Sequence, residues 1–475
     1  LPPRHYGKGS TTKRHYVKGS TTKTPRHQES PRETATPLSN AAGQKKGAPN
    51  LGGSWCLGVL VVKAVAVLGG SWCLGVLVVN LLLLTSSPCF AEGHCEPDSR
   101  KGKAWRTVTG CTSVPLDHAD PAGESLDIYH ELSIPEGASL GNIIVFHGGP
   151  GFPRKHLGEW GVMWEGLRAH FRVLYFHQRG TGWSGRIADD DQFQGHRDLY
   201  TLEAMVKDAA ILHDRQFDGA KIILMGKSAG GFLAMKYALA RPGLVSSLVL
   251  ACTSADHRYI SGRHQVKERF VETMSERHPG FAEVYNRALE VAAESDLSAA
   301  EGLAGALVTS DLIDSVLFDL SYMMKGQFEM VAIARDAADG RYGLLIKRLK
   351  KGQQTIRTTG LESIAVLNNI TCREFGYGNT NPLACKGIQE STRYDIRPDL
   401  KKLTVPALVM SGRYDPILPP RFQDDIASSL SGPVTRQVFD LSAHMVFREQ
   451  PAATATAVLD FLGVPRQQVP QLPGL

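Results

Sequence analysis

The sequence predicts an α/β protein: a mostly parallel central sheet with helices on both faces, and a helical cap inserted between two strands. Three observations predict it. From about residue 104, short apolar, β-branched runs alternate with helix-period stretches. Between 251 and 405 the strand pattern stops, and residues 264–352 show helical periodicity instead. Finally, the run 221–231 places the pattern G-x-S-x-G between a strand and a helix.

The chain has 475 residues, 42% hydrophobic and 21% charged, which is ordinary for a globular protein. The net charge of +6 is misleading. Residues 1–50 hold ten Lys/Arg and two Asp/Glu, so the remainder carries 43 basic and 45 acidic residues. The body therefore has no basic excess to suggest a nucleic-acid partner.

Residues 1–50 are polar and basic, and Arg4-His5-Tyr6 to Lys13 recurs as Arg14-His15-Tyr16 to Lys23. Such a stretch cannot bury enough apolar surface to order itself and receives no function. Residues 51–91 form a hydrophobic segment in which LGGSWCLGVLVV appears twice, at 51–62 and 68–79. The apolar run ends in Leu81 to Leu84, then a polar stretch with small residues at Cys89 and Ala91. That is the pattern of an export signal with a cleavage site; the alternative is a retained membrane anchor. The expected location is secreted or exported, with membrane contact only if 51–84 is retained.

Cysteine usage agrees with export. Cys95/Cys111 and Cys372/Cys385 suggest local pairs in an oxidising compartment, and Cys252 a buried thiol. No CxxC or zinc-ligand spacing occurs. The expected organisation is a first core part at 92–252, a helical cap at 253–397 and a second core part at 398–475. Strands are expected at 142–147, 171–177, 221–226, 245–251, 405–411 and 435–440, and helices at 202–216 and 230–241.

Within this frame the chemistry-bearing residues fall at the ends of strands. Gly226-Lys227-Ser228-Ala229-Gly230 has the context of a nucleophile elbow, in which glycines allow the sharp turn that lifts the hydroxyl clear of the sheet. The duplicated GGSWC of the leader lacks the second spaced glycine and is rejected. A serine nucleophile needs a base, and the base an orienting acid. Asp415 follows one strand and His444 follows the last. Singly they read as a turn former and a surface histidine. Together, the order Ser228, Asp415, His444 is that of α/β hydrolases, and the expected fold becomes the α/β-hydrolase fold. His147-Gly148-Gly149-Pro150-Gly151 then gains a purpose: bare backbone N–H groups for an oxyanion. The expected donors are Gly149 and Ala229, with Gly148 next. Neither a cofactor nor a metal is required.

These residues resemble the proline iminopeptidase family of α/β-hydrolase serine peptidases. The resemblance runs from about 105 to 465 and is carried by His147 to Gly151, His177-Gln178-Arg179-Gly180-Thr181-Gly182-Trp183-Ser184, the Ser228 elbow, Asp415 and His444. The family usually has Asp where His177 stands, and its strict prolyl members carry a W-x-x-W-E cap segment. This chain has no Trp after Trp183. The stretches 332–340 and 370–374 look more like the exported tripeptidyl-aminopeptidase branch. The resemblance implies an aminopeptidase acting on peptides with a free N-terminus, with Glu374 holding the α-ammonium. A carboxylic-ester hydrolase on the same triad and, less favoured, a non-catalytic surface binding protein are the alternatives.

Overall fold

The computed structural model describes residues 95, 98–102, 104–157, 163–257, 263–294, 310–356, 360–376, 385–391 and 393–465. The expectations for 1–50 and 51–91 lie outside the described residues.

Nine strands form one sheet: β1 (Ser99–Lys101), β2 (Trp105–Pro115), β3 (Ser125–Pro135), β4 (Asn142–Phe146), β5 (Arg172–Phe176), β6 (Ile222–Lys227), β7 (Val245–Ala251), β8 (Ala407–Gly412) and β9 (Val434–Phe439). Their order is β1-β2-β3-β5-β4-β6-β7-β8-β9. The pairings through β5 from the β1 edge are antiparallel, and every pairing from β5-β4 onward is parallel. The parallel strands are apolar on both faces because helices cover both. In β4 the alternation is visible residue by residue. Ile144 and Phe146 join one buried cluster with Leu224, Leu248 and Phe232, while Ile143 and Val145 join the other with Val173, Val249 and Met410.

The helices are α1 (Met163–His170), α2 (Leu202–Phe217), α3 (Ala229–Ala240), α4 (Arg263–Arg277), α5 (Phe281–Glu294), α6 (Ser310–Leu320), α7 (Met324–Ala338), α8 (Gly343–Ile356), α9 (Ile364–Glu374), α10 (Arg397–Leu400), α11 (Pro420–Ser429), α12 (Val446–Glu449) and α13 (Pro451–Phe461). Helices α4 to α9 lie between β7 and β8, as the helical cap. Helices α4 to α8 bury a core of their own around Phe270, Met274, Tyr285, Leu317, Met330 and Ile333. Helix α9 behaves differently: its Ala365, Val366 and Ile370 join the cluster beneath the sheet. The cap is thus stapled to the core by its last helix.

Two disulfides are present, Cys95–Cys111 and Cys372–Cys385, with Cα separations of 5.0 and 5.5 Å. The first ties the chain before β1 to β2, and the second closes the loop after α9. Among the described residues, no helix is long and apolar enough to cross a membrane.

Candidate active site

Ser228 stands between β6 and α3 with φ 55° and ψ −130°, a conformation that non-glycine residues seldom adopt. The turn that imposes it is very tight. A Cβ on Gly230 would come within 2.1 Å of the Phe146 carbonyl oxygen. The backbone of Ser228 is pinned at both ends: its N–H donates to the Ala251 carbonyl at 3.0 Å, and its carbonyl accepts from Thr253 Oγ1 at 2.6 Å. Strain at a residue so firmly held is the mark of a functional turn.

Asp415 follows β8 and is fully buried. Its Oδ1 accepts from the Ile417 and Leu418 N–H groups, both at 3.0 Å. That leaves Oδ2 for His444, whose Nδ1 donates to it at 2.8 Å. Nε2 of His444 is therefore the basic nitrogen. Burial lowers the pKa of His444; Asp415 opposes that shift and the Lys227 ammonium adds to it. Ser228 and His444 line one cavity of about 510 Å³ with Gly148, Gly149 and Tyr322. Among the described residues no hydrogen bond joins Ser228 to His444, and a nucleophile–base contact of this kind often tightens only on substrate binding.

The glycine loop after β4 reaches the same cavity. Gly149 has φ +119°, where a side chain would be strained, and a Cβ there would lie 2.8 Å from the Gly151 nitrogen. The His147 imidazole donates from Nδ1 to the Gly148 carbonyl at 2.8 Å, while its Nε2 accepts from the Gln178 N–H at 3.3 Å. Burial lowers its pKa to about 4, so the ring is neutral. Fixing the Gly148 carbonyl fixes the whole Gly148–Gly149 peptide and turns the Gly149 N–H away from the imidazole. Among the described residues, neither the Gly149 nor the Ala229 N–H donates to a protein acceptor.

The Gln178-Arg179 segment supports this loop from below. Gln178 Nε2 donates to the His147 carbonyl at 3.0 Å. Arg179, fully buried, makes a bidentate ion pair with Asp208 at 2.6 and 2.7 Å. His177 lies beneath the same loop. Its Nδ1 accepts from the Trp183 N–H, and its Nε2 donates to the Arg154 carbonyl, each at 3.0 Å. Burial lowers its pKa to about 3, so this support is neutral where a carboxylate would be charged.

Glu374 is found elsewhere. It is buried at the end of α9, does not line the cavity, and accepts from the Leu202 N–H with both oxygens, at 3.1 and 3.3 Å. Its carboxylate faces the N-terminus of α2, where negative charge is favoured, and joins the cap to the core. The sequence places it in the right helix, but two turns beyond Leu367, the α9 residue that does line the cavity. Burial raises its pKa to about 7, against the pull of Leu202 N–H, Lys236 and Arg373. The sign follows: the folded protein holds this proton more tightly than the unfolded chain, so the contribution is fully present below about pH 4.5 and is lost as pH rises through about 7. Glu374→Gln is expected to flatten that decline, worth up to roughly 3 kcal/mol. It should leave the preference for free-amino peptides in place. Urea unfolding at pH 5 and pH 8, with kinetics beside it, checks both.

Three residues stand around the site in places that the sequence reading does not assign. Lys227 is buried beside Ser228 and lines the cavity. Burial lowers its pKa, and the Cys252 and Asp415 side chains oppose that shift. Cys252, buried as expected, has φ +47° and lies beside Asp415. Its thiol, with the Asp415 and His444 ligand atoms, lies within 4.8 Å of the other two. The thiol pKa is pushed far up by burial and the Asp415 charge, and Asp415 is already engaged by the Ile417 and Leu418 N–H groups and by His444, so the trio is poorly suited to a metal. Asp319, at the end of α6, opens into the cavity. Asp319 is exposed where the end of α6 borders the cavity; desolvation raises its pKa, against the pull of Arg348.

A family model described as alpha/beta hydrolase fold matches residues 141–312. With the strand order and the strained serine turn, this makes the chain an α/β hydrolase in fold. More particularly, it is similar to proline iminopeptidases. It is 33% identical to proline iminopeptidase PfmaB of Pestalotiopsis fici over 137 residues, 28% of this chain and 43% of that protein. It is 22% identical to the proline iminopeptidase of Saccharolobus solfataricus over 345 residues, 71% of this chain and 89% of that one. The chain thus spans less than half the length of the first relative and most of the second. Among solved structures, the proline iminopeptidase of Mycobacterium smegmatis aligns with a TM-score of 0.43 at 17% identity, covering 76% of this chain and 98% of that one. An esterase from Thermogutta terrifontis aligns with a TM-score of 0.43 at 20% identity, covering 76% and 99%.

Proposed function

We propose that the chain is a serine aminopeptidase that releases N-terminal residues or short peptides through an acyl-enzyme. Ser228 Oγ attacks the carbonyl carbon as His444 Nε2 takes its proton. Asp415 holds the imidazole and stabilises the imidazolium. The Gly149 and Ala229 N–H groups receive the oxyanion. Collapse of the tetrahedral intermediate expels the amine with the proton from His444. Water, deprotonated by the same histidine, then hydrolyses the ester.

The observation that carries the peptidase reading over an esterase is Asp319. Among the described residues no hydrogen bond or ion pair engages its carboxylate, although it shares the cavity with Ser228. A substrate α-ammonium is the cation that such a group lacks. Asp319→Asn is expected to weaken cleavage of free-amino peptides by about tenfold to a hundredfold. N-acylated peptides and simple esters should be far less affected. Equal losses on all three substrate types would leave the ester hydrolase as the better reading. In the wild type the preference for a free amine should grow as pH rises through the raised Asp319 pKa, where the carboxylate ionises.

Export belongs to the same proposal. The two disulfides support an oxidising destination. N-terminal sequencing of secreted protein is expected to begin near Glu92. A mature chain that retains Leu68 to Leu84 would indicate an anchor.

A further inference from the structure

The cavity at Ser228 is lined by four charged side chains: Arg154, Lys227 and Arg448, and the single carboxylate of Asp319. Three cations against one anion is more positive charge than an α-ammonium alone calls for. The fully buried Arg179 is matched by Asp208, and the partly buried Arg397 and Arg436 by Asp395 with Asp256 and by Asp424. Among the described residues, neither the Arg154 nor the Arg448 guanidinium has an ion pair or a hydrogen bond.

Both are placed with care. The Arg154 N–H donates to the Tyr175 hydroxyl at 2.8 Å, and its carbonyl accepts from that hydroxyl at 2.9 Å and from His177 Nε2 at 3.0 Å. A residue so fixed by its backbone presents its side chain from a rigid base. Arg448 lies four residues beyond His444, in α12, whose carboxylate Glu449 is engaged by Ser442, Ala443 and Met324 and so is not available to neutralise it. Arg448 shares its cavity lining with His444, the residue that would deliver a proton to the departing amine.

We propose that this cavity reads a carboxylate on the leaving group, so that the substrate is a short peptide with both ends free. Its ammonium meets Asp319 and its terminal carboxylate lies between Arg154 and Arg448. This rests on the aminopeptidase reading for the ammonium end. Arg154 is half-buried and Arg448 exposed at the cavity, and carboxylate and guanidinium match in shape as well as charge. A cavity of about 510 Å³ is of the size that encloses a small molecule and suits a di- or tripeptide.

The test compares di- and tripeptides bearing a free C-terminus with their C-terminal amides, all with free amines. A preference in kcat/KM of about tenfold or more for the acid is expected. The ratio should fall towards one in Arg448→Ala and in Arg154→Ala, with active-site titration by a fluorophosphonate counting folded enzyme in each preparation. Amides cleaved as well as acids, or a preference that survives both substitutions, would overturn the proposal. A second pair, 4-acetoxybenzoate and 4-acetoxybenzamide, places the carboxylate on a leaving group with no amine present. Preference for the benzoate without cleavage of any peptide would reject the aminopeptidase reading and sustain the carboxylate site. Cleavage of free-amino peptides with no preference in either pair would reject the site and sustain the reading.

Discussion

Ser228→Ala is expected to lower hydrolysis by roughly a millionfold while leaving the fold intact. The fold should survive because the strain at this position is a property of the backbone. Alanine meets the same φ of 55° as serine, and the bonds to Ala251 and Thr253 involve only the main chain. A fluorophosphonate should label Ser228 and no other serine, including Ser54 and Ser71 of the duplicated leader. Peptide mapping of the labelled protein decides the matter. A label elsewhere, or undiminished turnover in the variant, would remove Ser228 from the mechanism.

Asp415→Asn is expected to cost about 10⁴-fold in kcat. The size of the effect follows from what each oxygen does. The Ile417 and Leu418 N–H groups both demand an acceptor, so the asparagine must turn its single carbonyl oxygen to them. Its NH₂ is left facing His444 Nδ1. A donor there forces the proton of the imidazole onto Nε2, the atom that must accept from Ser228, and the base is lost without any change in shape. Circular dichroism should be unaltered and kcat should collapse. A loss below tenfold would mean that His444 is oriented by something else. In the wild type, kcat/KM is expected to fall at low pH, through a histidine pKa below its usual value, because burial outweighs the Asp415 charge.

The parallel half of the sheet was legible because both of its faces are buried. Its strands read as continuous apolar runs, and those expected at 142–147, 171–177 and 245–251 lie within a residue of β4, β5 and β7. The antiparallel strands β1 to β3 escaped notice. Residues such as Thr107, Thr109, Glu131 and Ser133 interrupt their apolar pattern yet are buried, paired across the ladder or by side-chain bonds. The candidate site divides along similar lines. Ser228, Asp415, His444 and the glycine loop each follow a strand, so local context points to them. Asp319 sits among the other acids of α6, and only the packing of the cap selects it. Glu374 lies in the same helix as Leu367, and the register of that helix places Leu367 in the cavity lining and Glu374 at the Leu202 N–H. Lys227 adjoins the serine in sequence, but its burial is a tertiary fact.

The contacts between cap and core bear on how freely this protein can be rebuilt. The His444 N–H donates to the Tyr322 carbonyl at 3.1 Å, and the two rings stack edge to face at 5.3 Å. Gln327 Nε2 donates to the carbonyl of Tyr414, the neighbour of Asp415, at 3.1 Å. Glu449 accepts from the Met324 N–H at the start of α7 and from the Ala443 N–H beside the histidine. The short stretch 321–327 is therefore a splint for the two loops that carry the acid and the base. A cap exchanged for that of another hydrolase would bring a foreign splint, and the donor loops would have to travel with it. On the proposed mechanism, specificity and catalytic competence are then not separate modules that recombination can shuffle; they are inherited together.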